Sequence, residues 1–376
     1  HAAVIDVGGV GIQITIFKDG HIVTTQHMDI GTIRLYELLH KPGLTEKAYR
    51  NQIEEYINKK LEVFRALYLD AELDYIIFMN DYGINFINGM ELEAKGDNLI
   101  KTEKFVKYLV KLSKNAKEDI IDELNLTNDK SNLIIPSIIL FKALATKLTA
   151  KEVWIPGVNV NDGIAFDYAD RNKLLKGFHN FDEDVITAAL AMSEHYNSYS
   201  THIEALTKLT VQVFDAIKRT HGLGSRQRLL LQVATILHDC GKFVSLSNSA
   251  ESAYNIIMSS EIIGLTHLER QIVALTVLFN SIPLCDYGEL DVDITKEDYL
   301  TAVKLSAILR LSHALDQSHK QKFKNIKISL REKKMIISVE SFEDISLEQT
   351  LFASKTSYFE NVFSIKPVLR EKKVMM

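Results

Sequence analysis

Apolar and polar positions alternate along the first thirty residues and then change period twice, and these changes divide the chain. Ala2 to Val7, Ile12 to Phe17 and His21 to Asp29 alternate as strands, parted by Gly8-Gly9-Val10-Gly11 and by Lys18-Asp19-Gly20, so a meander of hairpins is predicted. Helical spacing follows over Leu44 to Leu69, Thr102 to Leu124 and Ile138 to Leu148, with strands at Tyr75 to Met79 and Glu152 to Ile155 between them. Strands interleaved with helices predict an α/β lobe. From Asp182 the pattern is almost unbroken amphipathic helix, over 182–196, 200–220, 225–239, 251–260, 267–280 and 296–319. A hairpin of Ile326 to Leu330 and Met335 to Val339, a helix near Leu347 to Tyr358 and a strand at Phe363 to Leu369 complete the pattern. The expected organisation is three domains, 1–170, 178–322 and 323–376, with boundaries near 168–181 and 320–325.

Length agrees with that division, because 376 residues exceed what one core normally organises. Lys+Arg 44 against Asp+Glu 49 gives a formal charge of −5, which argues against nucleic acid or an anionic membrane as a default partner. Cys240 and Cys285 stand far apart and outside any C-x-x-C spacing, so neither a disulfide framework nor a thiolate metal site is expected, and a reducing, cytoplasmic setting fits. The longest apolar run, Leu133 to Leu140, carries Pro136 and Ser137 and is too short for a bilayer span. The chain opens on His1 directly before a strand, which reads as a cut and not as a natural start.

Two constellations carry chemistry. In the first, the strand Val4-Ile5-Asp6-Val7 runs into Gly8, Gly9 and Gly11, where glycines let backbone N–H groups approach an anion and Asp6 stands ready to hold a metal or place a water. The same pattern also serves as an ordinary hairpin turn. In the second, His202 near a helix start, His238-Asp239 near a helix end, and His313 with Asp316 on a late helix would collect nitrogen and oxygen ligands around one divalent ion. The alternative is a buried, hydrogen-bonded His238-Asp239 pair with no metal. Lysines from Lys320 to Lys327 read as a solvated hairpin edge.

Asp6-x-Gly8-Gly9-x-x-x-Gln13, Phe17-x-Asp19-Gly20 and Asp29-x-Gly31-x-x-Arg34-Leu35 resemble the second actin-like lobe of the exopolyphosphatase/guanosine pentaphosphate phosphohydrolase (Ppx/GppA) family. The resemblance continues through Leu133 to Pro136, Ala150-Lys151-Glu152 and Asp162-Gly163-Ile164. His202, Leu237-His238-Asp239-x-Gly241-Lys242 and Leu309-Arg310-x-x-x-Ala314-Leu315-Asp316 are similar to the HD-like helical domain of its longer members. It implies an α/β actin-like (ribonuclease H-like) lobe, then an all-α HD-like domain, then a small C-terminal α+β module. It further implies release of terminal phosphate from inorganic polyphosphate or guanosine pentaphosphate, Mg²⁺ or Mn²⁺ as cofactor, and a homodimer. Asp6, Gly8, Gly9, Gly11 and Gln13 would bind phosphate, His202, His238, Asp239, His313 and Asp316 would bind metal, and the catalytic base would come from a first lobe that is absent here.

Several positions depart from the family pattern. Gln13 replaces an acidic residue, and hard cations favour carboxylate oxygen. The second phosphate loop is reduced to Asn80-Asp81-Tyr82-Gly83, and Asn161 stands for an arginine. A histidine cluster is replaced by Ser249-Ala250-Glu251-Ser252-Ala253, a Tyr-His pair by Phe279-Asn280, and an acidic ligand by His313. Three functions follow from this degenerate pattern: a phosphoanhydride hydrolase, a catalytically impaired protein that binds phosphate or nucleotide as a regulator, and a metal-dependent hydrolase working at His238-Asp239.

Overall fold

A computed structural model describes residues 1–39, 43–90, 98–127, 131–175, 179–290 and 292–372. It divides into two compact units, His1–His179 and Asn180–Met376, each with its own apolar core. The boundary expected at 168–181 includes residues 176–178, which lie outside the described ones. Among the described residues no helix is long and apolar enough to cross a membrane.

The first unit is a mixed six-stranded sheet in the order β3-β2-β1-β4-β6-β5. Strands β1 (Ala2–Val7), β2 (Ile12–Lys18) and β3 (His21–Met28) form the expected antiparallel meander. Strand β4 (Leu73–Met79) lies parallel to β1, β6 (Ala150–Trp154) parallel to β4, and β5 (Leu99–Lys101) antiparallel to β6. The period-2 pattern is the cause: Ala3, Ile5, Val7, Ile12, Ile14 and Ile16 are buried, Asp6 is exposed and Gln13 half-buried, and the buried Thr15 between Ile14 and Ile16 is paired through its hydroxyl with Thr25. Helix α1 (Thr32–Leu39) follows the meander, and α2 (Glu46–Tyr68) starts at Thr45, whose side chain accepts from Ala48 N–H, a cap worth about 1 kcal/mol.

After β4 comes α3 (Asp81–Gly89), and the single helix expected over 102–124 is two, α4 (Thr102–Leu112) and α5 (Lys117–Glu123). Between them Arg50 donates to the carbonyls of Ser113 and Asn115, so a long-range partner takes up the groups that a continuous helix would have paired. Helix α6 (Ile134–Lys147) is buried almost all round and carries Pro136 in its first turn, where the missing N–H costs nothing. Helix α7 (Val160–Arg171) has no buried residue and so offered no amphipathic signal, and it is held by a capping box of Asn159 and Asp162.

The second unit contains α8 (Phe181–His195), α9 (Ser200–Ala216), α10 (Ser225–Leu237), α11 (Ser249–Ser259), α12 (His267–Ser281) and α13 (Lys296–Ala314). Helix α10 is central. Leu229, Leu230, Leu231, Val233, Ala234, Ile236 and Leu237 bury every face of it, and α8, α9, α12 and α13 pack around it. A three-stranded sheet of β7 (Lys327–Arg331), β8 (Lys334–Glu340) and β9 (Lys366–Lys372), with α14 (Ser346–Phe363), completes the unit. Met335, Ile337, Val339, Phe352 and Phe359 belong to the same core as the helices, so residues 323–372 share the helical unit's interior and have no core of their own.

Candidate metal centre

Three helix ends converge in the second unit. His202 is the third residue of α9, His238 caps the C-terminal end of α10, Asp239 follows it, and His313 lies in the last turn of α13. The side chains of His202 and His238 are fully buried, and that of Asp239 is 8% exposed. The ring centroids of His238 and His313 are 4.8 Å apart and those of His202 and His238 5.3 Å. One donor atom from each of His202, His238 and His313 falls within 4.8 Å of the other two.

Hydrogen bonds fix the tautomers. His202 Nδ1–H donates to Asp316 Oδ2 at 2.7 Å, and His238 Nδ1–H donates to the Thr235 carbonyl at 2.7 Å. Each therefore presents a bare Nε2 lone pair to the interior. His313 Nδ1 lies 3.2 Å from the Asn280 amide nitrogen, while Asn280 Oδ1 is buried without a partner. Half a turn of that amide lets Oδ1 accept from His313 Nδ1–H and leaves His313 Nε2 bare as well. The Nε2 atoms of His202, His238 and His313 are all buried with no hydrogen-bond partner.

Electrostatics agree with the geometry. Burial pushes the His238 imidazole down to about 4 and that of His313 well below its ordinary value, so both are neutral near pH 7. Burial alone would raise Asp239, yet His238 beside it and the Lys242 ammonium, 2.8 Å from Oδ2, hold it at about 2. Asp239 Oδ1 consequently faces the unprotonated His238 Nε2 at 3.2 Å. Two acceptors turned toward each other at that distance make a poor contact by themselves, and a cation between them resolves it. Three imidazoles and one carboxylate suit a borderline transition ion better than Mg²⁺, which prefers an all-oxygen shell.

Asp316 stands behind this arrangement. Expected on a helix as a ligand, it lies past the end of α13, because the helix predicted over 296–319 stops at Ala314. Its carboxylate accepts from His202 and from the Gln321 backbone and side-chain amides at 2.9 and 3.1 Å, so it orients His202 and does not face the cluster. Lys322, expected as a solvated edge residue, is 11% exposed and paired with the buried Glu348. Sequence reasoning missed Thr235 and His319, of which only His319, three residues after Asp316, carried a recognisable signal, and it named Asn280 only as a departure from the family's Tyr-His pair.

The glycine loop lies in the other unit. Asp6 is exposed and pairs in register with Gln13, and partial burial raises its carboxyl. Gly8 N–H donates to the Gly11 carbonyl at 3.0 Å, which closes a turn. The carbonyls of Gly8 and Gly9 accept from Thr32, Ile33 and Arg34, so the first N–H groups of α1 are already partnered. Asn80 to Gly83 is not a loop but the start of α3: Asn80 Oδ1 accepts from Tyr82 N–H at 2.7 Å and Tyr82 is a core residue. Asn161 sits at the exposed start of α7.

The second unit is thus a helical domain with a His-Asp cluster at its centre. Residues 186–356 match the family model described as Ppx/GppA phosphatase, domain III. That match spans less than half of the chain and lies within the second unit, which is therefore similar to this domain of the Ppx/GppA family. Among solved structures, a Ppx/GppA family member from Aquifex aeolicus is 13% identical over 46% of this chain and 56% of its own, with a TM-score of 0.38. An exopolyphosphatase from Cytophaga hutchinsonii is 14% identical over 45% and 57%, also with a TM-score of 0.38. The chain spans slightly more than half the length of each of these structures. No curated protein matches it.

Proposed function

We propose that this chain is a metal-dependent phosphohydrolase whose chemistry resides in the helical unit. The observation that carries the reading is the set of three buried Nε2 atoms, on His202, His238 and His313, turned toward one another without partners beside the Asp239 carboxylate. These four residues would hold one ion, with Mn²⁺ the better fit of the two cofactors expected from the resemblance. When bound, such an ion polarises a phosphoryl oxygen and acidifies water. The chain's own residues contribute the rest. Asp316 and the Thr235 carbonyl fix the two imidazole tautomers, burial restricts competing water, and Lys242 offers a positive charge beside Asp239 for an anionic substrate.

The similarity of residues 186–356 to Ppx/GppA domain III suggests the substrate class, a phosphoanhydride such as inorganic polyphosphate or guanosine pentaphosphate. Two free cysteines fit a cytoplasmic setting. We read the first unit as an actin-like lobe, supported by its antiparallel meander continued by parallel strands. A second reading, a binding or regulatory role for that lobe, is favoured by Gln13 beside Asp6 and by a glycine turn whose Gly8 N–H is taken up internally.

Phosphate release from both substrates, with Mn²⁺ and with Mg²⁺, separates these readings. Turnover in the wild type that falls at least about 100-fold in His238→Ala is expected if the ion at this site drives the reaction. Turnover untouched by that substitution would overturn the assignment to the helical unit, and ligand binding without turnover would leave the regulatory reading in its place.

A further inference from the structure

The loop leaving α13 brings a fourth imidazole to the cluster. The His319 ring stacks on that of His202, with centroids 3.8 Å apart and planes 12° apart. One donor atom from each of His319, Asp239 and His202 lies within 4.8 Å of the others, which makes a second triad beside that of His202, His238 and His313. The two triads share His202. Since its Nδ1 is held by Asp316, only Nε2 remains to serve both. A single lone pair serves a single ion, so the triads outline one site with donors from five residues and not two separate sites. Metal–nitrogen distances near 2.0–2.1 Å bring such donors within reach of one ion after small side-chain rotations.

The backbone around His319 is unusual in a way that the site explains. His319 has φ +55° and Gln321 φ +46°, both left-handed positions for residues with a Cβ, each costing on the order of 1–3 kcal/mol. Such conformations persist where the surroundings dictate them. Here His319 N–H donates to the Asp316 carbonyl at 3.0 Å, and both amides of Gln321 reach the Asp316 carboxylate. Lys322 then donates to Glu348 at 2.9 Å and to the Asp344 carbonyl at 2.8 Å, which ties the loop to the start of α14. Glu348 is fully buried, so this ion pair fixes position more than it adds stability.

We propose that His319 is a further donor to the ion held by His202, His238, Asp239 and His313, presented by a loop that the Lys322–Glu348 pair anchors. The proposal rests on the metal reading of the site and adds to it a ligand from outside the helices. It also gives the C-terminal sheet and helix a task in the chemistry, because their anchor sets where the loop stands.

Cobalt(II) is the probe. The metal-free full chain is titrated with Co²⁺ and followed by visible absorption, in the wild type, in His319→Ala and in His319→Phe, which keeps a ring against His202 but offers no donor. Both variants are expected to bind Co²⁺ roughly 10–100-fold more weakly, with altered absorption, while their metal-free melting temperatures match the wild type. His319→Asp, which restores a donor, is expected to recover most of the affinity. Unchanged spectra and affinity in both variants would remove His319 from the ligand set and leave the metal reading intact. A wild type that binds no Co²⁺ would overturn both.

Discussion

At the scale of single residues, the site is decided by which imidazole nitrogen carries the proton. Thr235 and Asp316 each hold an Nδ1–H, and the bare Nε2 atoms follow from that. This has a pH consequence for the metal-free protein. His238 titrates at about 4 when folded, against 6.5 ordinarily, because burial disfavours its charged form. On acidification the unfolded chain takes up this proton first, so the contribution is complete above pH 6.5 and is lost as pH falls from 6.5 toward 4. The expected loss is on the order of 3 kcal/mol, and the lowered His313 acts in the same direction. Urea unfolding of chelated protein at pH 7.5 and 4.5 measures it, with His238→Gln expected to flatten the dependence. A wild type equally stable at both values would contradict the burial argument. The histidines and Asp239 were legible in the sequence as residue types at a suggestive spacing. Asn280 was legible only as a lost histidine, and its role in orienting His313 was not, since an asparagine that does so looks like any other until the two are 3.2 Å apart.

At the scale of elements, helix ends matter more than helix faces. The strand meander and most helices were visible in their periods, because burial on one side imposes period 2 or 3.6 whatever the chemistry. Where helices stop was less visible. Asp316 and His319 were expected on a continuing helix, but Leu315 ends it and the following residues answer to hydrogen bonds from Gln321 and Lys322. Gly241 shows how tightly one such end is packed. A Cβ there would lie 1.9 Å from the Ser249 carbonyl oxygen and 2.4 Å from the Ala253 nitrogen, both backbone atoms of α11. Gly241→Ala is therefore expected to destabilise the second unit by roughly 1–3 kcal/mol and to weaken metal binding by displacing the turn that carries Asp239. Thermal unfolding and Co²⁺ titration of this variant check both effects, and a wild-type melting temperature would mean that α11 yields more readily than its packing indicates.

At the scale of the whole molecule, two cores imply two cooperative units, with the histidine cluster in only one. Calorimetry is expected to resolve two transitions, of which Mn²⁺ at 100 times its dissociation constant stabilises one by about 2.7 kcal/mol. Equal shifts of both transitions, or of neither, would count against confining the ion to the helical unit. The sequence by itself determined the strand and helix periods, the change from α/β to helical organisation, and the residue types able to hold an ion, because these depend on local pattern and side-chain chemistry. Tertiary structure alone decided that residues 323–372 join the helical core, that Asn80 opens a helix, that the Gly8 N–H closes its own turn, and that His319 lies over His202. Each of these depends on contacts between residues distant in the chain or on backbone angles that residue type does not specify, and spacing along one sequence encodes neither.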